Sequence, residues 1–142
     1  MTDCLFCKII AGEIPSTNVY EDENVLAFMD IGPVVQGHVL VIPKKHYANL
    51  TEAPAETAAE LVTVARRIAL AQMKALGADG FNLMTNQGAV AGQTVAHLHF
   101  HVIPQFLTHP HVWNWEPHPY AAPAEAVALA GKIRAELGGK ID

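Results

Sequence analysis

Apolar and polar positions change their period several times along the chain. The cluster from Leu5 to Ile10 ends at Gly12, which predicts a short helix with a stop. Val19–Glu21 and Val25–Asp30 flank the polar turn Asp22-Glu23-Asn24 and predict two strands of a hairpin. Gly37–Pro43 holds the run Val39-Leu40-Val41-Ile42, short and β-branched, which suits a third strand buried on both faces and ended by Pro43. From about Thr51 to Leu76 the period becomes helical. Pro54 fits a first turn, Leu61, Ala65 and Ile68 recur on one face, Arg66, Arg67 and Lys74 fall elsewhere, and Gly77 supplies the stop. Phe81–Asn86 and Val95–Ile103 read as two more strands joined by the loop Gln87–Gly92. After Pro104 the period is lost, so Gln105–Pro119 reads as an irregular surface segment before a last helix over Pro123–Leu137. Hairpins with one long helix between strands predict an antiparallel sheet and the α+β class, because no strand–helix alternation feeds a parallel one.

Length and composition then narrow the class. At 142 residues the chain fits one domain, 1–142, with one core. Its hydrophobic share is 51% and its charged share 16%, which excludes intrinsic disorder and leaves apolar surface for a second copy, so a two-fold homodimer is expected. Nine basic against fourteen acidic residues give a net charge of −5, a poor match to a nucleic-acid polymer. No apolar run exceeds five residues and Met1–Lys8 lacks the basic start of a signal peptide, so a cytoplasmic protein with no membrane span is expected.

The chemistry concentrates in His97-Leu98-His99-Phe100-His101-Val102-Ile103, where histidine alternates with apolar residues. On a strand this period places three imidazoles on one face, about 6.6 Å apart at the backbone, with Leu98, Phe100 and Val102 in the opposite layer. Solvent faces usually carry Lys, Glu or Thr, and three ligands from one flat strand converge on a metal only with a particular twist. Catalysis is therefore the reading favoured over a half-exposed strand face and over a three-histidine metal site. A neutral imidazole can attack phosphorus and form a covalent phospho-intermediate without a catalytic metal, provided one ring nitrogen is held protonated and donors face the developing charge. Gly92, Gln93 and Thr94 just before the strand offer close backbone approach, an amide and a hydroxyl.

Cys4 and Cys7, the two cysteines, form a Cys-x-x-Cys pair. In a reducing compartment that spacing suits half of a zinc site, a redox pair, or two small buried side chains on the first helix. Two histidines from elsewhere would close a tetrahedral set; His46 and His97, near strand ends, are within reach of an N-terminal cap, although spacing alone does not select them.

Taken together these segments resemble the histidine triad family, named for His-φ-His-φ-His-φ-φ with φ apolar, matched by His97 to Ile103. The likeness extends through Cys4-Leu5-Phe6-Cys7-Lys8-Ile9-Ile10-Ala11-Gly12-Glu13-Ile14-Pro15-Ser16, Ala27-Phe28-Met29-Asp30-Ile31, and Gly37-His38-Val39-Leu40-Val41-Ile42-Pro43-Lys44-Lys45-His46. It is greatest to the nucleoside phosphoramidate hydrolase branch and its bacterial zinc-containing relatives. The resemblance implies a five-stranded antiparallel sheet paired into a ten-stranded dimer, and a nucleotidyl hydrolase acting on purine nucleoside phosphoramidates or related conjugates. Dinucleoside polyphosphate hydrolysis and non-catalytic nucleotide sensing are the alternatives. It also implies His99 as nucleophile, oriented by the His97 carbonyl and supported by His101 and His38. Asp30 would bind the ribose, Leu5, Phe6 and Ile31 the base, and Asn86, Gln93 and Thr94 the phosphate. A structural zinc would be held by Cys4, Cys7, His46 and His97. The chain departs from the family at Pro104-Gln105-Phe106, where several members have glycines, and in the Trp113/Trp115 segment, so 105–142 reads as a divergent C-terminal region. His109, His111 and His118 read as solvated tail residues.

Overall fold

The computed structural model describes residues 3–108 and 116–138; His109, His111, Trp113 and Trp115 lie outside them. Five strands form one antiparallel sheet: β1 (Asn18–Glu21), β2 (Val25–Met29), β3 (Val39–Pro43), β4 (Gly80–Met84) and β5 (Phe100–Gln105), in the order β1-β2-β3-β5-β4. Helices α1 (Leu5–Ile10), α2 (Ala55–Leu76) and α3 (Pro123–Leu137) complete the α+β fold. Among the described residues no helix is long and apolar enough to cross a membrane.

The two faces of the sheet are buried by different partners. Val25, Ala27 and Met29 of β2 and Val39 and Val41 of β3 meet Leu61, Val64, Ala65 and Ile68 of α2 and Ala130 and Ile133 of α3. Leu26, Phe28, Leu40 and Ile42 point the other way and pack under Phe6 of α1. Every residue of β2 and β3 is buried, which explains the unbroken apolar runs, since a strand covered on both faces has no polar side to alternate with. Leu98, Phe100 and Val102 lie in the α2 layer, as their alternation with histidine predicts.

Several strand ends move by one or two residues, β4 ending at Met84 rather than Asn86 and β2 at Met29 rather than Asp30, and two boundaries shift further. Thr51 belongs to a separate 3₁₀ turn, Leu50–Glu52, capped where the Asn49 side chain accepts the Glu52 N–H at 3.1 Å. Pro54 biases Ala53 toward extended backbone (φ −84°, ψ 150°), so α2 starts only at Ala55. The second difference bears on the site. β5 begins at Phe100 rather than Val95 and runs through Pro104 to Gln105. The ladder with β3 pairs Val41 with Phe100 and stops near Pro43, which has no N–H to donate and whose carbonyl is used elsewhere. Pro104 is tolerated because the β3 pairing ends at Val102, leaving its missing N–H without a ladder partner on that side. His97 therefore lies at the end of a bend and His99 in the short lead-in that follows, and only His101 belongs to the ladder.

Candidate active site

Outside the ladder, the lead-in is held by individual bonds. Leu98 N–H donates to the Tyr47 carbonyl at 2.7 Å, and the Thr85 hydroxyl donates to the His99 carbonyl at 2.8 Å. Thr85 was not singled out by the sequence reading: it becomes necessary only because the strand starts one residue late for His99 to have a ladder partner. From the capping face, the Phe6 ring meets His97 and His99 edge-on, with centroids 5.8 and 5.1 Å away. All three triad histidines are buried.

Carbonyl oxygens fix two tautomers, since they only accept. His99 Nδ1 lies 2.7 Å from the His97 carbonyl, so Nδ1 carries the proton and Nε2 keeps its lone pair. His97 Nε2 lies 2.9 Å from the Pro43 carbonyl, so its proton sits on Nε2 and Nδ1 presents a lone pair. A third tautomer follows from an amide. Val34 N–H donates to His38 Nδ1 at 3.3 Å, so His38 carries its proton on Nε2 and donates it to His101 Nδ1 at 2.9 Å. His101 then holds its own proton on Nε2. Burial is the main cause that lowers all these pKa values, to about 3 for His38 and His101 and to about 4 for His97. Burial also lowers His99, against the raising effect of the His97 carbonyl and the Asp30 charge. The rings are thus neutral at pH 7, the state in which a histidine can be a nucleophile.

Around these rings the remaining candidate residues fall into place unequally. Asp30 is half-buried, its Oδ2 3.6 Å from His38 Nε2, and its Oδ1 accepts the Gly32 N–H at 2.8 Å. Leu5 and Ile31 are exposed apolar side chains, Ile31 at 90%. Asn86 packs beside Gly92, where a Cβ would lie 3.5 Å from its amide nitrogen; Gly92 has φ +94°. Thr94 is exposed. Gln93 uses its amide inside the loop: Nε2 donates to the Ala48 and Val95 carbonyls at 2.7 and 2.9 Å, and Oε1 accepts the Gly88 N–H at 2.8 Å. In this arrangement it shapes the loop and has no amide hydrogen left for a ligand.

Cys4, Cys7, His46 and His97 converge, with one donor atom of each within 4.8 Å of the others. Cys4 Sγ lies 3.3 Å from His97 Nδ1, Cys7 Sγ 3.4 Å from His46 Nδ1, and the two Nδ1 atoms are 3.1 Å apart. The Pro43 bond leaves His97 Nδ1 as a lone pair aimed into this cluster, so two sulfurs and two ring nitrogens fit a tetrahedral Zn²⁺. Asp30, His38 and His101 also lie close enough to share an ion, but the His38–His101 hydrogen bond already occupies the facing ring nitrogens.

Burying neutral rings makes stability depend on pH in a defined direction. Unfolded His38 and His101 take up protons below about pH 6.5, whereas the folded rings resist until about pH 3. Between those values the unfolded state binds more protons, so stability falls on acidification. Thermal melts should show Tm dropping from pH 6.5 to 4, with a shallower slope in His38→Asn; equal slopes would contradict the neutral pair.

Comparison with known proteins agrees with this geometry. Residues 11–108 match the HIT domain. An adenylylsulfatase of Arabidopsis thaliana is 47% identical over 103 residues, 72% of this chain and 52% of that protein, so the chain spans about half of that relative. The adenosine 5'-monophosphoramidase of Schizosaccharomyces pombe is 36% identical over 135 residues, 94% of this chain and 98% of the relative. The crystal structure of a Zn-bound histidine triad family protein from Mycobacterium smegmatis superposes with a TM-score of 0.85 at 39% identity, covering 96% of this chain and 94% of that one. With the family's motif at His97–Ile103 and its fold around it, the chain belongs to the HIT domain family.

Proposed function

We propose that this protein is a nucleotidyl hydrolase that cleaves purine nucleoside phosphoramidates or related nucleoside monophosphate conjugates through a covalent intermediate on His99. The observation that carries this reading is the 2.7 Å contact from His99 Nδ1 to the His97 carbonyl, which leaves Nε2 as the nucleophilic nitrogen. In the first step Nε2 attacks the α-phosphorus, the Nε2–P bond forms, and the bond to the leaving group breaks, an amine departing with a proton that its nitrogen takes from solvent and an oxyacid departing as its anion. His101, protonated on Nε2, is the adjacent donor for phosphoryl oxygens or leaving group, and His38 keeps it in that tautomer. Water then attacks phosphorus, releasing the nucleoside monophosphate and restoring His99. The Asp30 carboxylate suits the ribose diol, and Phe6 with exposed Leu5 and Ile31 suits the apolar faces of a base. Asn86, Thr94 and the Gly92 backbone meet the phosphate in this reading, with Gln93 shaping their loop. The named activities of the yeast and plant relatives support this chemical class and differ in leaving group.

The cluster of Cys4, Cys7, His46 and His97 holds a zinc in this reading, supported by the Zn-bound relative and the convergent donors. Four protein ligands leave no open coordination position, so the ion serves the fold and the reaction needs no catalytic metal. A homodimer of two-fold symmetry completes the reading. Phe81 and Leu83 on edge strand β4, with Val62, Leu70 and Met73 on α2, are the exposed apolar side chains available to a second copy. Sedimentation at micromolar concentration should give twice the chain mass, and a monomer mass would contradict it.

His99→Ala should lower turnover of adenosine phosphoramidate at least about a thousandfold while AMP affinity changes little, because the base and ribose contacts remain. Steady-state kinetics and calorimetry on the same preparation check both parts; turnover at the unmutated rate would reassign the nucleophile. Thr94→Ala, which removes one donor, should cost on the order of a hundredfold to a thousandfold. Metal analysis of protein purified without chelator should give one zinc per chain, and Cys7→Ser should lose it and melt at lower temperature. Metal-free unmutated protein of unchanged Tm would contradict the zinc assignment.

A further inference from the structure

The segment Glu116–Tyr120, which leads into α3, lies against the loop between β2 and β3. His118 N–H donates to the Pro33 carbonyl at 2.6 Å, and Gly37 N–H donates to the Tyr120 hydroxyl oxygen at 2.8 Å. A Cβ placed on Gly32 would be 3.5 Å from Pro117 Cβ, so the two segments are in contact at this point. The loop they share has Asp30 at one end and His38 at the other.

Gly37 is the tightest point of that loop. Its φ is +102°, and a Cβ there would lie 2.7 Å from Leu76 Cδ1 and 3.1 Å from Pro104 Cγ. Its carbonyl accepts from buried Gln72 Nε2 at 2.9 Å, while its N–H is taken by Tyr120. The peptide just before His38 is therefore held from α2, from β5 and from the C-terminal segment at once. His38 in turn receives Val34 N–H from the same loop and donates to His101. Burial raises the Tyr120 pKa, the Gly37 N–H opposes that rise, and the Asp30 and Glu125 charges add to it.

We propose that Tyr120 is a positioning residue of the nucleotide site: by accepting the Gly37 N–H, it fixes the loop that presents the Asp30 carboxylate to a ribose diol and sets His38 against His101. This rests on the nucleotide reading above and adds to it a residue from the stretch between the irregular segment and α3. Tyr120 also packs its ring against the α2 layer, so its hydroxyl and its ring must be separated. Tyr120→Phe does so, since it keeps the ring and removes the acceptor.

The test compares AMP with 2',3'-dideoxy-AMP, which lacks the diol that Asp30 would bind, by calorimetry on the full chain. Unmutated protein should bind AMP more tightly than the dideoxy analogue. In Tyr120→Phe, AMP affinity should fall about tenfold, the size expected for one lost hydrogen bond, and the ratio of the two affinities should shrink toward one. An unchanged ratio, whatever happens to Tm, would show a purely structural tyrosine and overturn the proposal. If unmutated protein binds neither nucleotide, the nucleotide reading itself is overturned and this inference with it. Should the variant fail to fold, amide exchange in the unmutated protein decides: AMP must slow exchange at Gly37, and no slowing overturns the proposal.

Discussion

The hydrogen bond from His99 Nδ1 to the His97 carbonyl, 2.7 Å long, determines which nitrogen of His99 can act, and much of the surrounding structure serves to hold that carbonyl still. His97 is fixed three times over. Its ring Nε2 donates to Pro43, its Nδ1 faces the cysteines and His46, and its backbone lies next to Leu98, whose N–H is held by Tyr47. One residue thus belongs to two sites: its side chain to the candidate metal cluster, its backbone to the candidate nucleophile. A change in the cluster reaches His99 through a single peptide unit, which couples the candidate metal cluster mechanically to the chemistry proposed at His99.

The same economy applies to charge. Four imidazole rings, those of His38, His97, His99 and His101, crowd the space under Phe6 and beside the Asp30 carboxylate, and such a group is compatible with burial only if most of it is neutral. Burial keeps His38, His97 and His101 uncharged at neutral pH, and the hydrogen bonds then dispose the remaining protons in one direction. The result is a lone pair on His99 next to a donor on His101, with ring centroids 5.0 Å apart. Preorganised neutral donors of this kind stabilise developing charge without needing to reorient during the reaction.

How much of this the sequence discloses depends on whether the information is periodic. The apolar alternation with histidine placed Leu98, Phe100 and Val102 in the α2 layer, and the continuous run Val39–Ile42 reported a strand covered on both faces. Local periodicity could not show that β5 starts at Phe100, because that boundary is set by a proline on another strand, Pro43. Nor could it show that the Gln93 amide turns inward, since its partners are carbonyls at Ala48 and Val95. Thr85 and Tyr120 were missed for a related reason: each acts through one hydroxyl on a distant backbone group, and a single polar atom leaves no pattern in a sequence. The convergence of Cys4, Cys7, His46 and His97 came from resemblance rather than spacing, because the four are brought together only when α1 caps the sheet.

The central claim is the proton placement on His99, and imidazole nitrogen NMR on protein labelled with ¹⁵N at its histidines reads it directly. At pH 7 the account predicts a neutral His99 ring with a protonated Nδ1 and a lone-pair Nε2, assigned by loss of its signals in His99→Ala. On reaction with a phosphoramidate, the change should appear on Nε2. A His99 ring protonated on Nε2, or on both nitrogens at that pH, would contradict the account.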